Sequence, residues 1–94
     1  MGLATTRWDV TEHLESDEAI AAYLDAVFED GDPALIKAAI GDVARARGMT
    51  DIARKVGITR AGLYKALADS GNPSFNTVAG VMKALGVRLS VSAA

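Results

Sequence analysis

The run MTDIARKVGITRAGLYKAL, residues 49–67, leaves a chain of this kind few ways to fold. Ile52 and Ala53 fall on one face of a short helix that Val56 closes. Gly57 follows Ala53 by four, Ile58 comes next to plug a turn, and Leu63, Ala66 and Leu67 form the inner face of a second short helix. Two helices crossing steeply through a tight turn need a small residue where their axes come closest, here Ala53. They also need a residue tolerant of positive φ in the turn, here Gly57. Thr59 is placed to cap the second helix, which turns Arg60, Ala61, Tyr64, Lys65 and Ala68 outward. The spacing therefore predicts a helix-turn-helix over 49–69, its second helix the candidate reader of a DNA major groove. The competing reading is a steep helical corner with no ligand, in which Arg60 and Lys65 are ordinary solvated residues.

The flanking residues are helical by the same kind of reasoning. Ser16 is an N-cap for a helix over 17–30 in which Ile20, Tyr23, Leu24, Val27 and Phe28 share a stripe, and Gly31 ends it. Asp32 caps the next helix, 33–47, with Pro33 in the first position, where its missing N–H costs nothing; Ile36, Ala39, Ile40, Val43 and Ala44 face inward. After a short helix over 60–69, the segment DSGNPS reads as a loop. Ser74 then caps a last helix over 75–85, striped by Phe75, Val78, Ala79, Met82 and Leu85 and stopped by Gly86. From there the period changes to two: Val87, Leu89 and Val91 alternate with Arg88, Ser90 and Ser92, which predicts a half-buried strand over 87–92. Ahead of all this, Asp9 and Glu12 have capping-box spacing behind Trp8, which predicts one helical turn over 10–14 in the segment 1–15. The expected fold is one all-α domain over 1–94 with five helices and a short C-terminal β-strand. A lone strand must find a partner, so Val87, Leu89 and Val91 are expected to pair with their equivalents in a second copy.

Composition narrows the function. With 94 residues and no cysteine, disulfides, thiolate metal sites and cysteine nucleophiles are excluded together, and a reducing cytoplasm is the expected location. The first residues show no signal-peptide pattern, and the longest apolar runs fall far short of the roughly 20 residues of a membrane span. His13 is the only histidine, and no phosphate-binding glycine loop or nucleophile elbow is present. Neither catalysis nor a cofactor or metal is expected.

The net charge of −2 conceals a segregation. Residues 1–42 hold ten acids against Arg7 and Lys37, a balance of −8, whereas residues 43–68 hold six cations against Asp51, a balance of +5. One surface is thus suited to phosphates and another to a basic partner. Arg60 and Lys65 are the first candidates for phosphate or guanine contacts, since a guanidinium can bridge O6 and N7 while an ammonium acts as a point charge. Tyr64 between them fits a thymine methyl or a phosphate, and equally fits partial burial. Thr59 and Asn72 are short polar side chains suited to phosphate oxygens, although Asn72 also suits a turn bonding its own backbone. Arg54 and Lys55 either flank the site or lay their stems on the core.

Beyond these local patterns, three stretches resemble the small HigA-like addiction-module antidotes of type II toxin–antitoxin operons, a branch of the lambda-repressor-like helix-turn-helix group. They are EAIAAYLDAVFEDGDPALIKAAIGDVARARGM (18–49), DIARKVGITRAGLYKAL (51–67) and GNPSF (71–75). The resemblance implies an antitoxin that neutralises a RelE/HigB-like ribonuclease toxin and, as a homodimer on operator DNA, represses its own operon. It points to Trp8, Asp25 and Glu29 in the acidic third as toxin contacts. The glutamine often found early in the first motif helix of the wider group has no counterpart, since Met49 and Thr50 stand there. A stand-alone prophage-type repressor without a toxin, or a protein-interaction module that leaves DNA alone, are the alternatives.

Overall fold

The computed structural model describes residues 16–94. The chain forms α1 (Asp17–Asp30), α2 (Pro33–Arg47), α3 (Met49–Val56), α4 (Arg60–Leu67) and α5 (Phe75–Ala84). Four of these start on a side-chain cap. Ser16 Oγ accepts from the Ala19 amide at 3.1 Å, Asp32 Oδ1 from Ala34 at 2.9 Å, Thr59 Oγ1 from Gly62 at 2.9 Å and Ser74 Oγ from Thr77 at 3.1 Å. Each satisfies an amide that would otherwise lack a helical partner, a contribution of about 1 kcal/mol. α3 differs: it follows α2 across Gly48 with no side-chain cap.

Every helix contributes to one core. Ile20, Ile40, Val43, Ile52, Leu63, Val81 and Leu85 are the largest fully buried side chains. Each stabilises the fold by about 1.5–3 kcal/mol through removal of apolar surface from water. α3 packs chiefly on α5 and against α4, while α2 touches α1, α3 and α4. Gly80 of α5 lies at the first of these contacts, facing Val56, where a Cβ would stand at an ordinary van der Waals distance of 3.5 Å. Among the described residues no polar or charged side chain is buried. The one-turn helix expected over 10–14, together with Trp8 and His13, lies outside the described residues.

Two expectations need correction. No strand is present among the described residues: Val87, Leu89 and Val91 lie in a tail without regular secondary structure. The Val87 amide donates to the Met82 carbonyl at 3.1 Å, which ties the tail to the end of α5, and Val87 packs on the core. Beyond that point no second strand stands alongside among the described residues to complete a ladder, so the alternation of Val87, Leu89 and Val91 has no backbone pairing behind it. Leu89 rests between α1 and α5, whereas Val91 is 98% exposed. The stripe of the last helix is also shifted. Phe75 is 72% exposed while Val81 takes a fully buried place, so the buried side chains of α5, Val81 and Met82, gather toward its C-terminal end.

Candidate nucleic-acid interface

The α3–turn–α4 corner is built as its residue types require. Gly57 adopts φ of 90°, in the left-handed region, and its amide returns to the Ala53 carbonyl at 2.9 Å; the Ile58 amide bonds the same carbonyl at 3.1 Å. Ala53 is buried against the neighbouring helices, and Leu63 and Leu67 anchor α4 from below. Ile58, expected to plug the turn, remains 36% exposed. With its inner face fixed and its start capped by Thr59, α4 presents Arg60, Ala61, Tyr64 and Lys65 to solvent, and Ala68 follows at its end.

The electrostatics of this ridge divide in two. Neither Arg60 nor Lys65 has an acidic partner among the described residues. The Arg60 guanidinium lies instead 5.4 Å from the centroid of the Tyr64 ring, which fixes two outward side chains against each other. Arg54 and Lys55 are exposed too, yet both pair with Asp51, Lys55 at 3.2 Å. The Lys55 hydrogen bond first, aided by the charges of both cations and the Arg54 hydrogen bond, outweighs desolvation and holds the Asp51 carboxyl below its ordinary value. Two cations of the basic cluster expected around the corner therefore share one carboxylate, which offsets one of their two charges. The i,i+3 and i,i+4 spacing of Asp51 to Arg54 and Lys55 was present in the sequence and signalled it.

Asn72 stands elsewhere, on a groove with Phe28, Lys37 and Phe75. Its loop is held by a contact that periodicity does not reveal: Lys37 Nζ donates to the carbonyls of Asp69 and Gly71, each at 2.7 Å. Gly71 is packed so closely on the end of α4 that a Cβ would overlap the carbonyl oxygens of Lys65 and Ala66. At the other end of the molecule Arg47 Nη1 reaches Asp17 Oδ1 at 3.2 Å and joins α2 to the start of α1. Asp25 and Glu29 are exposed on α1, and Trp8 lies outside the described residues. The described residues hold no group of three or more histidine, cysteine or carboxylate side chains that could bind a metal ion, and no helix among them is long and apolar enough to cross a membrane.

Among the described residues, five helices around one core and a Thr59-capped α4 that turns Arg60 and Lys65 outward define the class: a small helical protein with an exposed cationic ridge. Residues 4–93 match the family described as "Probable addiction module antidote protein", and the chain belongs to that family. It is also 52% identical over 84 residues to a protein of Haemophilus influenzae described as "Uncharacterized protein", covering 89% of this chain and 87% of that one. No solved structure matches it. Membership in the family supports an antitoxin role, and an antidote of this kind acts on a toxin.

Proposed function

We propose that the chain is a DNA-binding antitoxin of the HigA-like, lambda-repressor-like helix-turn-helix type. In this reading α3 and α4 are the two motif helices, and α4 enters the major groove of operator DNA. The observation that carries it is the pair of cations without acidic partners, Arg60 and Lys65, on the solvent side of a helix that Thr59 caps and Leu63 and Leu67 anchor. Two copies on a palindromic site would set their reading helices about 34 Å apart, one helical turn of DNA. The protein thereby represses its own operon in the cytoplasm, and its acidic side engages a RelE/HigB-like ribonuclease toxin. It carries out no catalysis itself.

The test is titration of a fluorescent duplex from the region upstream of the operon, with scrambled duplex as competitor. Binding that survives the competitor and weakens steeply with salt supports the reading. Equal binding to both duplexes, or none at low salt, rejects it.

A further inference from the structure

Three large apolar side chains stand in solvent around one groove. Phe28 of α1 is 37% exposed, Leu89 of the tail 41%, and Phe75 at the start of α5 is more exposed than either. Together with Ile36 and Val78 they line a groove of about 550 Å³ whose floor reaches the buried Ile40 and Leu67. Apolar surface gathered in this way is a feature of surfaces that meet another molecule.

The charge around the groove says what kind of molecule. Asp25 precedes Phe28 by three residues on α1 and Glu29 follows Asp25 by four, so all three share a flank of the helix. Asp32 caps α2 beside Pro33 and Ala34, which also line the groove. None of Asp25, Glu29 or Asp32 has a cationic partner among the described residues. Lys37, the cation that lines the groove, has its ammonium committed to the Asp69 and Gly71 carbonyls. Arg88 shares an adjoining recess with Asp25 without forming an ion pair to it. A second copy is a poor occupant. A two-fold contact through this face would gather Asp25 and Glu29 of both copies into one interface, and like charges brought together oppose association.

We propose that this groove docks a basic protein, which seats an apolar side chain beside Phe75 while its cations meet Asp25, Glu29 and Asp32. The inference rests on the antitoxin reading, and the basic protein is then the toxin of the same module. Desolvated aromatic anchors carry most of the affinity of such contacts, and the acid rim speeds the encounter.

The experiment titrates the purified toxin of the module into the full chain and two variants, Phe75→Ala and the double variant Asp25→Lys/Glu29→Lys, by calorimetry at low and high salt. All three sites are exposed, so circular dichroism melts are expected to coincide with that of the unaltered chain. Phe75→Ala is expected to weaken binding by about tenfold or more at both salt concentrations. The double variant is expected to lose at least about tenfold at low salt and much less at high salt. If the unaltered chain binds no toxin, the antitoxin reading falls and takes the inference with it. If it binds while both variants bind equally well, the docking surface is wrong and the antitoxin reading stands. A dimer that Phe75→Ala converts to monomers in sedimentation would identify the groove as a self-contact and overturn the proposal.

Discussion

The Arg60 guanidinium sits 5.4 Å from the centre of the Tyr64 ring, one helical turn away on the exposed face of α4, with Nη2 and the phenol oxygen 3.5 Å apart. The ring face holds the guanidinium in place before any ligand arrives, so less side-chain entropy is lost on binding. Arg60→Ala is expected to weaken operator binding by about 1–3 kcal/mol. Tyr64→Ala is expected to cost about 0.5–1 kcal/mol through loss of this support, while Tyr64→Phe keeps the ring and stays close to the unaltered chain. Fluorescence anisotropy with the operator duplex separates the three.

Asp51 pairs with both Arg54 and Lys55 and offsets part of their charge. Asp51→Asn is expected to raise affinity for DNA and to steepen its salt dependence by about one to two released counterions. The same carboxyl titrates below its ordinary value of 3.8 when folded. Its contribution to stability is thus complete above that value and is lost as pH falls through the lower folded one. The effect is small, since the group is exposed to solvent and screened by salt. In acid unfolding followed by circular dichroism, Asp51→Asn is expected to show the shallower loss.

Lys37 and Gly71 fix the path between α4 and α5. Lys37→Met removes two charged hydrogen bonds to backbone carbonyls and is expected to destabilise the chain by about 1–3 kcal/mol. Gly71→Ala forces the loop away from the carbonyls at the end of α4 and is expected to cost about 2 kcal/mol or more. Urea denaturation measures both. A Gly71→Ala variant as stable as the unaltered chain would mean that the loop does not pack as described.

Burial first, and then the charge of Asp42, push the Tyr23 phenol above its ordinary value of 10.0. The neutral phenol is therefore favoured in the folded state. Its contribution is complete below pH 10.0 and is lost as pH rises through the higher folded value. Tyr23→Phe is expected to flatten the alkaline limb of a stability profile, and an unchanged limb would count against this placement of Tyr23.

The helices were legible because their signals are local. Ser16, Asp32, Thr59 and Ser74 sit where a short polar oxygen reaches an amide two or three residues on, and Gly31 and Gly57 mark the stops with positive φ. Arg60, Tyr64 and Lys65 were legible for the same reason, since a cap and an inner stripe leave only one face outward. What the pattern misread depends on distant parts of the chain. Val87, Leu89 and Val91 alternate as a strand does, but whether a ladder forms is decided by a neighbour that periodicity cannot supply. Phe75 fits the stripe of its helix and yet stands 72% exposed at the edge of a groove lined by α1 and α2, a placement set by how those helices pack and not by spacing within α5. Lys37 bonds carbonyls more than thirty residues away, which no spacing rule detects.

The most direct measurement of DNA recognition by α4 is the salt dependence of operator binding for the unaltered chain and for the double variant Arg60→Ala/Lys65→Ala. The unaltered chain is expected to show a steep linear fall of log affinity with log salt. The variant is expected to bind more weakly at every concentration, with a slope shallower by up to about two counterions and no preference left for operator over scrambled duplex. Identical slopes and identical preference in the two proteins would contradict the assignment of this ridge to DNA.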